Sequence, residues 1–368
     1  MRIVVSGHNG FVGGHLVRNI SLNYPNAEIV ALEKEDFESQ NFGGKIQKSD
    51  FIFHLAGVNR ANTEIEVYDK NNEINSTLLN YLIKIKFYGK LFFSSSSQED
   101  ADTLYGKAKK EARLKFERVS KKLGFKFYFL KIPNIFGPFC KPNYNSFIAT
   151  FSDKLIKNET PNIIEDNKVL LIYIDDLICS ILQLLDDHLP KKDFAVLHES
   201  KVSEVFQKLE SFKVQYLEKN EFPELKTSFD LNLFNTFRSY IDIRSVYPKK
   251  HILNSDQRGF FSELSRSNSK GQSSYSITKP QITRGNHFHT RKVERFSVIK
   301  GKARIQLRKY LTDEIISFEL VGENPSFVDM PVWYTHNITN IGNDELLTFF
   351  WINEPYDQSD PDTYIENV

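Results

Sequence analysis

Residues 2–17 read RIVVSGHNGFVGGHLV, and this stretch decides the fold of the first half of the chain. Its apolar start predicts a strand, and three glycines follow at GxxGxxG spacing, immediately before an apolar pattern of helical period. Glycine is needed where the turn is tight, where backbone approaches a pyrophosphate and where the helix packs on the strand, while the helix N-terminus attracts phosphates. The stretch therefore predicts a dinucleotide-binding turn formed by Gly7, Gly10, Phe11, Val12 and Gly13.

The same rhythm of strand and helix continues along the first half of the chain. The apolar runs EIVALE, FIFHLAG, KLFFSSS and KFYFLKIP predict four more strands, with amphipathic segments between them. Such alternation is typical of βαβ units and a parallel sheet, so we expect an α/β Rossmann domain over residues 1–246. A last helix is predicted at 202–217, and the polar segment 218–250 after it places the domain boundary near Tyr247-Pro248.

From residue 251 onward the sequence changes to short runs rich in β-forming residues. These runs include FFSEL, YSITK, ERFSVIKG, ARIQLRK, EIISFELV and LLTFFWIN, and Gly, Asn, Asp and Pro punctuate them. The pattern predicts an all-β barrel or sandwich over residues 247–368. Two domains also agree with the length of 368 residues, which exceeds what one core usually organises.

Composition excludes several classes of protein. The 48 basic and 47 acidic side chains leave a net charge of +1, so neither a nucleic acid nor an anionic membrane is expected as a partner. No apolar run reaches the roughly 18 residues that cross a bilayer, and the N-terminus lacks a signal peptide's cleavage pattern. We expect a cytoplasmic protein. Its two cysteines, Cys140 and Cys179, predict neither a disulfide framework nor a cysteine-based metal site.

A serine-ended strand and a Tyr-x-x-x-Lys pair predict a reductase site. Ser96 lies near the end of the run KLFFSSSS, and Tyr105 and Lys109 follow at the start of the next helix. Their i, i+4 spacing puts phenol and ammonium on one helix face, where the positive charge can lower the tyrosine pKa. The phenol could then exchange a proton with a substrate oxygen, while the serine hydroxyl fixes the carbonyl.

Two further segments are candidates for cofactor contacts. At the end of the second strand, an acidic residue would bond the ribose 2′-hydroxyl of NADH, whereas a basic one would accommodate the 2′-phosphate of NADPH. Glu33 and Lys34 stand side by side there, so the sequence leaves both cofactors open. After the third strand, Leu55-Ala56-Gly57 would place small backbone against the cofactor.

A histidine cluster in the second half predicts a metal centre. Two histidines separated by one residue on a strand point to the same face. Three imidazoles and one carboxylate suit zinc, iron, manganese, nickel or copper. We favour zinc, because an open-shell metal would serve oxygen or redox chemistry, of which the first domain gives no sign; a purely structural metal remains open. The predicted ligands are His287, His289, Glu294 and His336.

Together with the segment PNIFGP at 133–138, these motifs of the first domain resemble the extended short-chain dehydrogenase/reductase family. The resemblance implies that Tyr105 is the proton donor, Lys109 its modulator and ribose ligand, and Ser96 the group that orients the carbonyl. Dehydratases of this family carry an Asp-Glu pair directly after the catalytic Ser or Thr. Here Ser97-Gln98 stand in those places and Glu99 comes one position late, which favours simple carbonyl reduction.

The resemblance also implies a substrate-binding loop. The segment FCKPNYNS at 139–146 lies where family members hold the diphosphate of a sugar nucleotide. Its cation, amides and aromatic ring suit a phosphate and a base. The candidate substrate residues are Lys141, Asn143, Tyr144 and Asn145.

The second domain resembles the cupin family, which has a jelly-roll barrel. The pattern HxH-x4-E-x6-G and the later PxxxxHxxxN, from Pro331 to Asn340, are similar to the two cupin motifs. Trp333 stands where a glycine is usual, and this departure could crowd the mouth of the barrel.

The pairing of the two domains resembles the CapF-type bifunctional enzymes of bacterial capsule and O-antigen synthesis. The stretches HLAGVNR, KPNYNSFIATF, RGNHFH, MPVWYTHNI and DPDTY carry this resemblance along the whole chain. It implies that the cupin domain epimerises carbon 3 of UDP-2-acetamido-2,6-dideoxy-β-L-arabino-4-hexulose. The Rossmann domain would then reduce carbon 4 with NADPH to UDP-2-acetamido-2,6-dideoxy-β-L-talose, a precursor of UDP-N-acetyl-L-fucosamine.

The same resemblance implies zinc on the four predicted ligands and a homodimer formed through strands of the second domain. Epimerisation must come first, because the ketone at carbon 4 acidifies the proton at carbon 3 and reduction removes that activation. Tyr334 and Lys292 are both candidates for the epimerase base. Three alternatives stay open: a reductase with a zinc-stabilised dimerisation module, a non-enzymatic sensor of nucleotide sugars, and an NAD-dependent epimerase or dehydratase with an accessory cupin.

Overall fold

The computed structural model describes residues 1–47, 49–185, 197–257, 259–267 and 270–368. They form two compact units. The first unit contains Met1–Phe136, Cys140–Phe147 and Asn167–Lys201, and the second contains Gly137–Phe139, Ile148–Asp166 and Val202–Val368. Residues 202–246 therefore pack with the second unit, while the boundary at 246/247 stays a prediction about the limits of the two folding domains.

A five-stranded parallel sheet is the centre of the first unit, as the strand and helix pattern predicted. The strand order is β2-β1-β3-β4-β5. The strands are β1 Arg2–Ser6, β2 Glu28–Leu32, β3 Phe51–His54, β4 Lys90–Ser96 and β5 Lys126–Ile132. Side chains of β1, β3 and β4 are almost all buried, which explains their continuous apolar runs, since a parallel sheet is covered on both faces.

Helices connect these strands, and threonine side chains cap the starts of two of them. They are α1 Phe11–Asn23, α2 Lys34–Glu38, α3 Glu64–Lys84 and α4 Leu104–Leu123, with a 3₁₀ turn at Ser97–Asp100. The hydroxyl of Thr63 accepts a hydrogen bond from the backbone N–H of Glu66 at the start of α3 (3.1 Å). Thr103 does the same for Gly106 at the start of α4 (3.1 Å). The cap at Thr103 fixes where α4 begins and therefore where Tyr105 lies in its first turn.

A second, three-stranded sheet completes the first unit. It consists of β6 Asn134–Phe136, β7 Lys168–Tyr173 and β8 His198–Lys201, in the order β6-β7-β8. Helix α6, Ile174–Leu182, follows β7, whereas α5, Phe147–Ile156, belongs to the second unit from Ile148 onward. No helix among the described residues is both long and apolar enough to cross a membrane.

Helices open the second unit. Helix α7, Val202–Phe212, continues as a π-helix at Lys213–Glu218, in agreement with the helix predicted at 202–217. The short strand β9, Glu221–Phe222, comes next, followed by α8 Ser228–Arg238 and α9 Ile243–Val246.

Two five-stranded antiparallel sheets form the rest of the second unit, which is the all-β domain that the sequence predicted. Their strand orders are β10-β19-β16-β21-β14 and β18-β17-β20-β15-β22. Two short pairs, β11 with β12 and β13 with β9, lie outside them. The strands are β10 Lys249–Lys250, β11 Asn254–Asp256, β12 Gly259–Phe261, β13 Arg266–Ser267, β14 Gln272–Thr278, β15 Thr283–Phe288, β16 Glu294–Lys300, β17 Lys302–Lys309, β18 Ile315–Val321, β19 Ser326–Met330, β20 Tyr334–Asn340, β21 Leu346–Ile352 and β22 Tyr364–Ile365.

A buried ion pair joins the helical segment to the β-sheets inside the second unit. The guanidinium of Arg295 donates two hydrogen bonds to the carboxylate of Asp329, at 2.7 and 2.9 Å. The hydroxyl of Tyr216 donates to the same carboxylate (2.6 Å) and accepts from Nε of Arg238 (3.1 Å). Because both members of the ion pair are fully buried, each depends on its partner for charge compensation.

We predict that Asp329→Asn lowers the free energy of unfolding by about 3–5 kcal/mol, because it leaves the buried Arg295 charge unpaired. Tryptophan fluorescence during urea unfolding measures this loss in the unit that contains the ion pair. Both tryptophans of the chain, Trp333 and Trp351, lie in the second unit, and Trp351 stacks on Phe222 with ring centroids 4.0 Å apart.

The matched control is Glu319→Gln. It breaks the ion pair of Glu319 with Arg304 (3.0 Å), whose side chains are 50 % and 45 % exposed. Exposed pairs are worth at most about 1 kcal/mol, so this variant should unfold nearly as the parent does. Equal, small losses in both variants would show that the buried pair does not stabilise the unit.

Candidate active site and metal centre

The glycine turn fits a pyrophosphate in its backbone geometry. Gly7 has a φ of 72°, and a Cβ added there would lie 2.9 Å from the backbone nitrogen of Ala56. A Cβ at Gly13 would lie 2.1 Å from the carbonyl oxygen of Gly7. Both positions therefore require glycine. Helix α1 starts at Gly10 with no side-chain cap and no acidic residue in its first turn, which leaves its N–H groups for an anion.

A buried hydrogen-bond network holds the Leu55–Gly57 segment beside this turn. Ser6 accepts hydrogen bonds from the backbone of Leu55 (3.1 Å) and Ala56 (3.2 Å), and its hydroxyl donates to Nδ1 of His54 (2.7 Å). Nε2 of His54 then donates to Asn75 (3.0 Å). Burial lowers the pKa of His54 to about 3, so its ring stays neutral. The sequence analysis did not predict Ser6 and Asn75. Each is a polar residue at a position of a strand or helix that is otherwise apolar, and this feature could have identified them.

The three predicted reductase residues lie together. A hydrogen bond links the Tyr105 hydroxyl with Ser96. Nζ of Lys109 donates to the carbonyl oxygen of Ser94 (3.0 Å) and lies 5.9 Å from the centroid of the Tyr105 ring.

Burial, rather than the lysine charge, governs titration at this site. It raises the pKa of Tyr105 to about 12 and lowers that of Lys109 to about 8. The predicted lowering of the tyrosine pKa by Lys109 is thus not found. At neutral pH the phenol keeps its proton, which is the state that a donor to a carbonyl oxygen needs.

Glu99 is engaged in an ion cluster. Its buried carboxylate accepts hydrogen bonds from Nε of Arg113 at 2.9 and 3.0 Å and from the hydroxyl of Ser95, and Nζ of Lys131 lies 3.3 Å away. With both oxygens occupied by cations, this carboxylate is not available as a general base. The geometry agrees with the sequence-based preference for reduction over dehydration.

Two cations flank the aromatic ring of the predicted substrate loop. Nζ of Lys141 and the guanidinium of Arg60 each lie 5.9 Å from the centroid of the Tyr144 ring. Arg60 also donates to the carbonyl oxygen of Asn143 (3.2 Å), and Tyr144 is close enough to raise the pKa of Tyr105. Within the described ranges, neither cation is paired with a carboxylate. The sequence analysis did not predict Arg60, although this residue ends the stretch HLAGVNR. Asn145, the last predicted substrate residue, is exposed next to Tyr144.

Glu33 and Lys34 point to different surroundings. The carboxylate of Glu33 lies 3.4 Å from Nε2 of His8 in the glycine turn. The side chain of Lys34 is 82 % exposed and pairs with Glu38 (2.8 Å) on the surface of α2. The acidic residue therefore faces the dinucleotide turn, whereas the cation is held only by an exposed ion pair.

The four predicted metal ligands meet at one point. One possible ligand atom from each of His287, His289, Glu294 and His336 lies within 4.8 Å of the others. Nε2 atoms of His289 and His336 both lie 3.3 Å from the same oxygen of Glu294. Strand pairing explains the meeting, since His287 on β15 is opposite His336 on β20.

The ligand set suits a divalent metal in the orientation of its rings. Nδ1 of His289 donates to the carbonyl oxygen of Asp362 (2.5 Å), and Nδ1 of His336 donates to that of Tyr334 (3.0 Å). Both rings therefore present Nε2 to the centre, because a hydrogen bond from Nδ1 fixes the tautomer and orientation of a metal-binding imidazole. Burial lowers the pKa of His287 to about 4, which keeps its ring neutral. Burial alone would raise the pKa of Glu294, but hydrogen bonds with the histidines hold it well below its usual range.

The two candidate epimerase bases differ in their surroundings. Lys292 is only 2 % exposed, and its Nζ donates to the carbonyl oxygen of Pro361 (2.8 Å). Tyr334 is partly exposed and lies two residues before His336 on β20, so both side chains project from the same face. The geometry brings the tyrosine, and not the lysine ammonium, to the face that carries a metal ligand.

Trp333 does not crowd a barrel mouth, contrary to the expectation. Its side chain is fully buried and stacks on Phe288, with ring centroids 5.7 Å apart. Phe288 alternates with His287 and His289, so it points to the opposite face of the strand. The φ of Trp333 is 63°, in the left-handed region that favours glycine, which explains why a glycine is usual there.

Both halves of the chain match known families. Residues 3–196 match the family described as NAD dependent epimerase/dehydratase. Residues 254–364 match the polysaccharide biosynthesis C-terminal domain.

Individual relatives match over the full length. A protein of Pseudomonas aeruginosa described as UDP-2-acetamido-2,6-beta-L-arabino-hexul-4-ose reductase is 31% identical, over 100% of this chain and 99% of its own. The crystal structure of the capsular polysaccharide assembling protein CapF from Staphylococcus aureus is 33% identical, with a TM-score of 0.65 and 100% of both chains covered. The UDP-glucose 4-epimerase of Thermus thermophilus in complex with NAD, 15% identical with a TM-score of 0.52, covers 65% of this chain and 99% of its own and shares the fold.

Proposed function

Because the chain belongs to the CapF-type proteins of the NAD dependent epimerase/dehydratase family, we propose that it is a UDP-sugar reductase and epimerase of capsular polysaccharide synthesis. The observation that carries the reductase half is a buried, protonated Tyr105 beside Ser96. The engagement of Glu99 by Arg113 and Lys131 supports it further, since a dehydratase would need a free base.

The substrate in this proposal is a UDP-linked 4-keto-6-deoxy amino sugar, UDP-2-acetamido-2,6-dideoxy-β-L-arabino-4-hexulose. The name of the Pseudomonas aeruginosa relative supports this choice. The second domain inverts carbon 3, and the first domain then reduces carbon 4. The product is UDP-2-acetamido-2,6-dideoxy-β-L-talose, which leads toward UDP-N-acetyl-L-fucosamine.

The residues of the first domain divide the reduction between them. A reduced nicotinamide dinucleotide, with its pyrophosphate at the glycine turn, would supply the hydride for carbon 4. The Ser96 hydroxyl orients the carbonyl oxygen, and the phenol of Tyr105 gives its proton to that oxygen as the negative charge develops. One hydride and one proton thus convert the ketone into an alcohol. Lys109, whose Nζ lies 5.9 Å from the Tyr105 ring centroid, binds the ribose of the cofactor in this proposal.

The reductant in this proposal is NADPH, with NADH as the alternative. The acidic side chain of Glu33 near the glycine turn suits the ribose hydroxyl of NADH. Lys34 supports NADPH, because an exposed ion pair such as that with Glu38 is worth at most about 1 kcal/mol and leaves the ammonium free to turn toward a 2′-phosphate.

The epimerase half rests on the metal ligands and Tyr334. The three histidines and Glu294 would hold a zinc ion, which would supply Lewis-acid chemistry at this site. The ketone at carbon 4 already acidifies the neighbouring proton at carbon 3. Tyr334, on the face of β20 that carries His336, is the proposed acid–base residue. Its phenolate removes the proton from carbon 3, and water gives a proton to the opposite face of that carbon, which yields the epimer. The hydroxide left behind takes the proton from Tyr334 and restores the phenolate.

We also propose that the protein is a homodimer formed through β14. This strand lies at the edge of its sheet, and the side chains of Tyr275 and Ile277 are 72 % and 54 % exposed. An exposed apolar edge strand favours pairing with another chain. A second copy of the same strand would cover it with a two-fold symmetric interface.

We predict that Tyr105→Phe lowers the rate constant for NADPH-dependent ketone reduction by about 100-fold or more, because the proton donor is lost. Single-turnover NADPH absorbance measures the step, and fluorescence titration should give an unchanged NADPH dissociation constant. The control is Tyr128→Phe on β5, which changes a phenol outside the site. A Tyr105→Phe variant that reduces at the parent rate would rule out this residue as donor.

A second prediction concerns the cations beside Tyr144. Lys141→Ala and Arg60→Ala should each raise KM for the UDP-sugar by roughly 10-fold, because each removes a charge-assisted contact with the diphosphate, while kcat changes little. Lys115→Ala, on the exposed face of α4, is the matched control and should leave KM unchanged. If the two variants behave like the control, the diphosphate is bound elsewhere.

A further inference from the structure

We propose that Asp362, near the C-terminus, is a positioning residue of the metal centre. It would hold the loop between His289 and Glu294 in the conformation that lets both ligands reach one ion. The inference rests on the proposed metal site and adds a residue outside the four ligands.

The carboxylate of Asp362 organises the loop that separates two ligands. One oxygen accepts hydrogen bonds from the backbone N–H (3.0 Å) and the hydroxyl (2.7 Å) of Thr290. The other accepts from the backbone N–H groups of Arg291 (3.0 Å) and Lys292 (2.9 Å). A residue that is 3 % exposed thus receives four hydrogen bonds from three consecutive loop residues. Because the loop is short, its shape sets the distance between the ligands at its two ends.

The backbone of the same residue orients a ligand directly. The carbonyl oxygen of Asp362 accepts the Nδ1–H of His289 at 2.5 Å. That bond fixes the tautomer, so Nε2 of His289 is the atom that faces Glu294 at 3.3 Å. Asp362 has a φ of 41°, in a region where Asp is more common than most residues. One residue therefore bonds the loop through its side chain and the ligand through its main chain.

Neighbouring residues keep this segment against the same strand. Strand β22 pairs with β15, with Ile365 opposite His287 and Tyr364 opposite Phe288. Nζ of Lys292 donates to the carbonyl oxygen of Pro361 at 2.8 Å. This contact gives the buried Lys292 a role in holding the C-terminal segment. The segment thus touches the stretch that carries three of the four ligands, from β15 to the start of β16.

The test compares Zn²⁺ affinity in Asp362→Asn and the parent protein, with the full chain and a competing chromophoric chelator. An amide in place of the carboxylate turns N–H groups toward some of the four donors. Loss of a residue that holds a metal ligand in place typically weakens metal binding by about 10–100-fold, which is the expected increase in the Zn²⁺ dissociation constant. The visible spectrum of the Co²⁺-loaded protein should also change, because a loop that loses these hydrogen bonds moves His289 and Glu294 relative to each other.

Asp360→Asn is the matched control. Asp360 lies on the same segment, is 66 % exposed at its side chain and pairs with Arg291 (2.9 Å), but it bonds no ligand. It should bind Zn²⁺ within twofold of the parent. Thr290→Val removes one hydrogen bond to Asp362 and is the second test variant; it should weaken Zn²⁺ binding at least threefold in a chain whose circular dichroism is unchanged.

Distinct results would overturn distinct claims. If the parent protein binds no Zn²⁺ and no Co²⁺, the metal site itself is wrong. If the parent binds Zn²⁺ and a folded Asp362→Asn or Thr290→Val variant binds it equally well, the metal site stands and the positioning role of Asp362 is wrong.

Discussion

Burial of Tyr105 keeps its phenol protonated, and the reductase proposal depends on that state. The low dielectric around the residue penalises the phenolate, so its pKa rises to about 12. The same constraint acts on His54, whose pKa falls to about 3 and whose neutral ring can therefore link Ser6 with Asn75. In the second unit, burial keeps His287 neutral and thus able to bind a cation. Desolvation thus sets the protonation states of Tyr105, His54 and His287.

Three carboxylates are also buried, and the groups around each of them determine its role. Glu99 is buried among Arg113, Lys131 and Ser95, where its charge is neutralised and its oxygens are occupied. Glu294 is buried among histidines instead, in a ligand set that a divalent cation would complete. Asp362 is buried against backbone N–H groups. One chemical group thus stabilises a fold, completes a set of groups that could hold a metal ion or shapes a loop, according to the donors around it.

Local patterns predicted the fold and the site residues that lie close together in sequence. Glycine spacing, apolar runs and the i, i+4 pair identify features whose geometry depends on a few consecutive residues. Contacts between distant residues could not be predicted in this way. Tyr216 bonds Asp329 across 113 positions, which explains why residues 202–246 pack with the second unit. Asp362 bonds His289 across 73 positions, and Arg60 bonds Asn143 across 83. No periodicity or motif links such pairs.

If two sites act in sequence on one sugar, proton NMR in deuterated water will show the two steps separately. The purified protein is incubated with the UDP-linked 4-keto-6-deoxy amino sugar, first without NADPH and then with it. The account predicts that the carbon-3 proton signal disappears before NADPH is added and that the ketone is reduced afterward. Reduction without prior exchange at carbon 3 would contradict the account and leave a single-function reductase with an accessory metal-binding domain.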